Sequence, residues 1–393
     1  MTNPISKPTI LIVDDSRVNV MLMKEILSQY HIVTASKGLD AIEQAQTDPI
    51  PNLILLDIMM PGIDGYEVCR RLKQNPNTKD IPVVFITAQT EAGYIIKGFD
   101  AGAVDYIPKP FKIPELQARV KSQITIKQAK DQNERLRRRI EEMNKQLTDS
   151  INYAEKIQLA GFPKKEYLRQ VMPEHFILFK PRDIVSGDFY WAHKLGTKLV
   201  VVAVDCTGHG VPGAIMSVFG ITFLRTIVEV QQETDPALIL NKMRKDVIEA
   251  LQQTEESEVK DGMDMSVVTI DYGTYTLEYA GALISAYLIR DNQMTVLSAN
   301  RMSVSYNAES SPFTKQTVAL EKGDCVYQFS DGFASQFGGK NNKKLKQSGL
   351  KKLLVSHAML PMSEQLDAYQ HFFNAWKGPN DQVDDVLLIG MRF

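Results

Sequence analysis

Cysteine is scarce: Cys69, Cys206 and Cys325 are the only three in 393 residues. They lie far apart and form no CxxC pair, which excludes a disulfide framework and a thiolate metal site and points to a reducing compartment. A charge excess is also missing, since 45 Lys and Arg against 47 Asp and Glu leave a formal net charge of -2. No overall field therefore draws the chain to nucleic acid or an anionic membrane, and no basic C-terminal face is legible. No run reaches the ~18 apolar residues of a membrane span, and no basic n-region precedes an apolar stretch at the N-terminus. The expectation is a cytoplasmic protein with neither membrane nor nucleic acid as partner. What is present, 44% hydrophobic and 23% charged residues, is a globular composition, and the length implies two or three domains.

Three segments follow. Residues 1–126 alternate short apolar strands ("TILIV", "HIVTA", "NLILL", "PVVFI", "VDYI") with helical patterns such as Val18–Tyr30 and Tyr66–Lys73. This alternation implies a parallel sheet covered on both faces, with its crevice at the carboxyl ends of the strands. Residues 127–160 form a helical linker. Glycine and proline are missing between Lys112 and Ala160 apart from Pro114, and Ile126, Ala129, Asn133, Leu136, Ile140, Met143 and Leu147 follow a 3,4 spacing. That heptad seam, with its buried Asn, predicts a parallel two-stranded coiled coil and hence a homodimer. A single helix packed on its own domain is the alternative, and "RLRRR" (135–139) reads as the coil's solvated face. Residues 161–393 are mixed α and β, with many strands in hairpin-like succession, which predicts antiparallel sheets with helices outside. Within them, 254–262 and 338–349 read as exposed loops.

Asp14 and Asp15 close the first strand, Asp57 the third and Thr87 the fourth, and Lys109 follows the fifth. One sheet rim therefore collects three carboxylates, a hydroxyl and an ammonium. Carboxylates so crowded need a hard cation such as Mg²⁺, and the lysine and hydroxyl favour an added anion, which suggests Asp57 as a phosphoryl acceptor. The stretches "ILIVDDS", "LILLDIMMPGIDGYEVCRRLK", "VFITA" and "AVDYIPKPF" resemble the receiver domain of bacterial response regulators, a flavodoxin-like five-stranded fold. The resemblance implies phosphotransfer to Asp57 from a sensor histidine kinase. It also implies Mg²⁺ held by Asp14, Asp15, Asp57 and the Met59 carbonyl, phosphoryl contacts from Thr87 and Lys109, and Tyr106 as the switch aromatic.

A second acidic set occupies strand ends in the C-terminal segment: Asp188 in "VSGDFYW", Asp205 in "VVAVDCTGHG", Asp331 in "FSDGF", and Asp384 with Asp385 in "QVDDVLLIG". Each Asp–Gly alone reads as a turn. Together they make a hard-oxygen donor set without His or Cys, suited to Mg²⁺ or Mn²⁺, and a pair of such ions can clamp a phosphoryl group. With "YAEKIQLAGFP", "KPRDIVSGDFYW", "VDCTGHGVPGAIMS" and "YAGA", these motifs resemble PPM/PP2C-type serine/threonine phosphatases of the SpoIIE/RsbU-like branch, whose α+β fold has two antiparallel sheets flanked by helices. The resemblance implies two Mn²⁺ or Mg²⁺ ions, with Asp205 bridging, Asp188 and the Cys206 carbonyl on one, and Asp331 and Asp384 on the other. Ser186 replaces the first glycine of the family's "GGD", Leu387 stands where a Thr is frequent, and no arginine matches a phosphate-binding one. His209 and Arg182 read as loop and surface residues, Asp385 as a loop support, and the role of Asp264 is left open. The resemblance implies a receiver-controlled phosphatase acting on a phosphorylated STAS-type anti-sigma-factor antagonist. A phosphoprotein-binding adaptor with a non-catalytic second domain is the competing expectation.

Overall fold

The computed structural model describes residues 7–88, 91–257, 261–309 and 311–393. Part of the expected loop 254–262, residues 258–260, lies outside them. Two compact units divide at Asn144 and Lys145.

In the first unit, five parallel strands are ordered His31–Ala35, Thr9–Val13, Leu53–Asp57, Val83–Thr87, Asp105–Pro108. Side chains alternate across this sheet. Leu11, Val13, Ile54 and Leu56 share one core with Val68 and Leu72 of the helix Gly65–Gln74, while Ile10, Ile12, Leu53 and Leu55 share another with Leu116 and Val120. Burial on both faces is why these strands read as unbroken apolar runs rather than as alternations. The fold is that of a flavodoxin-like receiver, and the strand order reverses between Thr9–Val13 and Leu53–Asp57, where a crevice is expected.

A single helix runs Ile113–Gly161. Residues 127–160 are thus not an element of their own but the extension of the receiver's last helix. Leu136, Ile140, Met143 and Leu147 are all exposed.

The second unit stacks two antiparallel sheets. One is ordered Gln316–Ala319, Thr276–Ala282, Met263–Asp271, Lys198–Cys206, Phe189–Leu195, and the other Gln293–Leu297, Ala286–Arg290, Cys325–Phe329, Val386–Arg392, His175–Lys180. Parity sorts the strand Lys198–Cys206: Leu199, Val201 and Ala203 pack between the sheets with Leu387 and Ile389, whereas Val200, Val202 and Val204 pack under the helices Gly210–Leu224 and Pro236–Ala250. The helices Lys346–His357 and Met362–Lys377 cover the other sheet through Leu350, Leu354, Tyr369 and Phe373. Gly210–Val230 is long and apolar enough to cross a membrane by length and composition, but Met216, Ile221, Leu224, Ile227 and Val228 belong to the domain's core. Residues 338–349, expected as a loop, instead contain the hairpin strand Lys343–Lys344 and the start of the helix Lys346–His357.

Candidate functional site

The receiver site forms where strand ends meet. Asp14, Asp15 and Asp57 bring carboxylate oxygens within 4.8 Å of one another, the one such group of ligand types found among the described residues. Lys109 Nζ donates to Asp14 Oδ2 at 2.9 Å and Asp57 Oδ2 at 2.8 Å. Burial pushes the Asp57 carboxyl up despite those bonds, the Asp14 charge adds to the rise, and the Met59 backbone N–H opposes it. For Lys109 burial works against the charge, but the bonds to Asp57 and Asp14 win and raise its pKa. Asp14 is fixed from behind by the Ser16 N–H at 2.9 Å and by Asn19. Thr87 is buried, and its carbonyl accepts from the Lys109 N–H at 2.7 Å. Tyr106 is half-buried against Phe99, with the Arg119 guanidinium 5.8 Å from its ring centroid. One ammonium among three carboxylates leaves negative charge that a divalent cation fits.

In the second unit the parity of the strands decides where the acids emerge. Asp205 continues the series 199, 201, 203 and so leaves its strand on the inter-sheet side. Asp264 stands directly opposite it in the antiparallel register. Asp331 follows Cys325–Phe329 and Asp384 precedes Val386–Arg392. Asp205, Asp264, Asp331 and Asp384 line one cavity of about 430 Å³, together with Cys206, Gly208, His209, Tyr287 and Gln347. Asp188 is not on that wall but buried, its Oδ2 accepting from Ser330 Oγ at 2.5 Å.

Burial and crowded like charges show in the acidities. Burial, then the charges of Asp331 and Asp384, push the Asp205 carboxyl up to about 8, against a bond from the Asp331 N–H. Asp188 is raised well above the usual carboxylate range by burial and Asp205. Asp384 and Asp264 are raised too, chiefly by burial. Carboxylates held this way are a poor arrangement for a protein alone and a good one for hard divalent cations. The donor set fits them.

Loop geometry supports the acids. Asp385 does not face the cavity: its Oδ1 accepts from Arg182 N and its Oδ2 from Gly187 N, both at 2.7 Å. It thereby fixes the turn that carries Asp188. A Cβ on Gly187 would lie 2.5 Å from the Gly208 carbonyl oxygen, and Gly208 has φ +85, so two glycines allow these backbones to meet. Arg182 is exposed, and its Nη1 donates to the Val383 carbonyl. His209 lines the cavity and pairs with Asp183 at 3.1 Å. Asp264 had no assigned role in the sequence, and only strand register could have found it.

Gln158 is a residue that sequence reasoning missed. Buried near the end of Ile113–Gly161, it donates through Nε2 to the Ser186 carbonyl at 2.6 Å and to Ser217 Oγ at 2.7 Å, while its Oε1 accepts from Ser186 N at 3.2 Å. Its position in "EKIQLAG", polar beside apolar neighbours, was the available signal.

Residues 196–393 match the family described as stage II sporulation protein E (SpoIIE), and residues 10–121 match the response regulator receiver domain. Among solved structures, the SiaA-PP2C domain of Pseudomonas aeruginosa is similar over 64% of this chain and 98% of its own, at 31% identity and a TM-score of 0.59. A probable cyclic di-GMP phosphodiesterase of Vibrio cholerae is 44% identical over 128 residues, 32% of this chain and 29% of that protein. The response regulator PleD of Caulobacter vibrioides is 47% identical over 115 residues, 29% of this chain and 25% of PleD. The chain thus spans less than a third of the length of these curated relatives.

Proposed function

Because the chain belongs to the SpoIIE family of PP2C-type phosphatases and carries a response-regulator receiver domain, we propose that phosphorylation of Asp57 controls a metal-dependent phosphoserine/phosphothreonine protein phosphatase. The observation that carries this reading is the convergence of Asp205, Asp264, Asp331 and Asp384 on one cavity with no lysine or arginine among its lining residues. Such a wall repels a phosphate ester unless cations intervene.

Asp188, Asp205, Asp331, Asp384 and the Cys206 carbonyl are the groups that would hold two Mn²⁺ or Mg²⁺ ions. When bound, the ions neutralise these carboxylates, polarise the phosphoryl group and acidify water for in-line attack. The chain's own residues do the holding. Asp385 keeps the Asp188 turn in place, and Ser330 fixes the Asp188 carboxylate. At the receiver, Asp14, Asp15, Asp57 and the Met59 carbonyl would hold Mg²⁺, Thr87 and Lys109 would meet the phosphoryl oxygens, and Tyr106 would be the switch aromatic.

The phosphoryl donor in this reading is a sensor histidine kinase in the cytoplasm. The substrate is a phosphorylated STAS-type anti-sigma-factor antagonist of a partner-switching pathway. The exposed seam Leu136, Ile140, Met143 and Leu147 supports a homodimer joined as a coiled coil through the signalling linker 127–160, between a receiver domain, 1–126, and a phosphatase domain, 161–393. Calorimetric titration with Mn²⁺ tests the metal assignment: the wild type takes up more ions than Asp205→Asn. Superimposable titrations of the two would contradict it.

A further inference from the structure

A cavity walled by aspartates, with no lysine or arginine lining it, must find the positive charge that meets a phosphoprotein on its rim. Between Asp331 and Glu364 the chain carries six lysines, Lys340, Lys343, Lys344, Lys346, Lys351 and Lys352, and no aspartate or glutamate. In a chain of net charge -2 this is a local concentration. Among the described residues none of these lysines has a carboxylate within ion-pair distance, although lysines elsewhere do, such as Lys315 with Asp235 and Glu278.

The segment is a fixed lobe. Phe337–Gly338 pairs with Lys343–Lys344, and the helix Lys346–His357 follows. Trp376 Nε1 donates to the Gln336 carbonyl at 3.0 Å, and the Trp376 carbonyl accepts from Gly339 N at 2.8 Å. Two contacts join the lobe to the cavity. Gln347 lines it, and Lys351, one helical turn further on, holds its ammonium 4.9 Å from the centroid of Tyr287, another lining residue.

Building on the phosphatase reading above, we propose that this basic lobe docks the phosphoprotein substrate and selects one with an acidic surface beside its phosphorylated residue. Unpaired lysines on a rigid lobe attract an acidic partner over about a Debye length, ~10 Å at 0.1 M salt, and orient it before contact. Gln347 and Lys351 bring the lobe's helix to the cavity's edge, so a phosphoserine entering the cavity presents its flanking residues to this side of the lobe. A lobe of this charge also suits nucleic acid, but its place on the wall of an aspartate cavity favours a phosphoprotein.

The test uses two fluorescent phosphoserine peptides, flanked by Glu or by Gln, with the full chain and Mn²⁺. Binding is read by anisotropy and turnover by phosphate release. The wild type binds the Glu peptide about tenfold more tightly than the Gln peptide at about 25 mM salt, and about twofold at 300 mM. The combined variant Lys340→Glu, Lys343→Glu, Lys344→Glu and Lys352→Glu, its folding checked by circular dichroism, loses that preference. Equal binding of both peptides by the wild type at low salt overturns the proposal, and this arm needs no variant. A single-stranded oligonucleotide that binds more tightly than the Glu peptide and displaces it overturns it as well. Preference without hydrolysis of either peptide upholds docking and sinks the phosphatase reading; hydrolysis without preference does the reverse.

Discussion

At the scale of single residues, the second site is a division of labour among aspartates. Asp384 and Asp385 are adjacent, yet one lines the cavity while the other serves two backbone N–H groups. Asp385→Ala would leave the buried Gly187 N–H and the part-buried Arg182 N–H without their charged acceptor. We expect a stability loss of about 3 kcal/mol in urea unfolding and a fall in phosphatase activity, since the Asp188 turn loses its tie. Full stability and activity in that variant would contradict the assignment. Much at this scale was legible in the sequence. Asp14, Asp57 and Lys109 announced themselves because each ends or follows an apolar run, and a parallel sheet brings such ends to one rim. Asp264 did not, because its relation to Asp205 exists only in the register of two strands. Gln158 was hidden for another reason: its apolar neighbours in "EKIQLAG" hint that it is buried, but its partners are 28 and 59 residues away, and no local pattern names them.

At the scale of elements, the helix Ile113–Gly161 reaches from the receiver fold to the turn that bears Asp188. Its far end is fastened by Gln158, which holds both polar groups of the Ser186 backbone and the Ser217 hydroxyl of the helix Gly210–Leu224. Coupling requires an element with alternative arrangements that both sites bias, and in the proposed reading this fastening is the link through which helix position reaches the turn of Asp188. Gln158→Ala should cost about 1–3 kcal/mol by stranding the Ser186 N–H. It should also weaken the response of activity to receiver phosphorylation, measured as the ratio of rates with and without a phosphoryl mimic. An unchanged ratio would remove Gln158 from the coupling. The heptad spacing made the helix legible, but its continuity with the receiver was not, since Pro114 falls in its first turn, where proline is compatible with a helix. The segment 338–349 reads as a loop because its lysines and glycines hide Leu345, which with Leu350 just beyond attaches it to the core.

At the scale of the whole molecule, the account joins a phosphoryl-accepting receiver to a PP2C-type domain through one helix, and proposes that two copies meet along it. Ile140→Lys with Leu147→Lys places charges in the seam without touching either site. Analytical ultracentrifugation should then find a dimer for the wild type and a monomer for the variant, and equal sedimentation of the two would contradict the coiled coil. The central claim is that receiver phosphorylation governs metal-dependent hydrolysis, and it has a direct measurement. Phosphate release from a phosphoserine protein is followed with Mn²⁺, with and without beryllofluoride at the receiver, in the wild type, Asp57→Ala and Asp205→Ala. The account predicts Mn²⁺-dependent release that beryllofluoride changes severalfold in the wild type and not in Asp57→Ala, with release abolished in Asp205→Ala. Undiminished release from Asp205→Ala, or the same rate with and without beryllofluoride in the wild type, would contradict it.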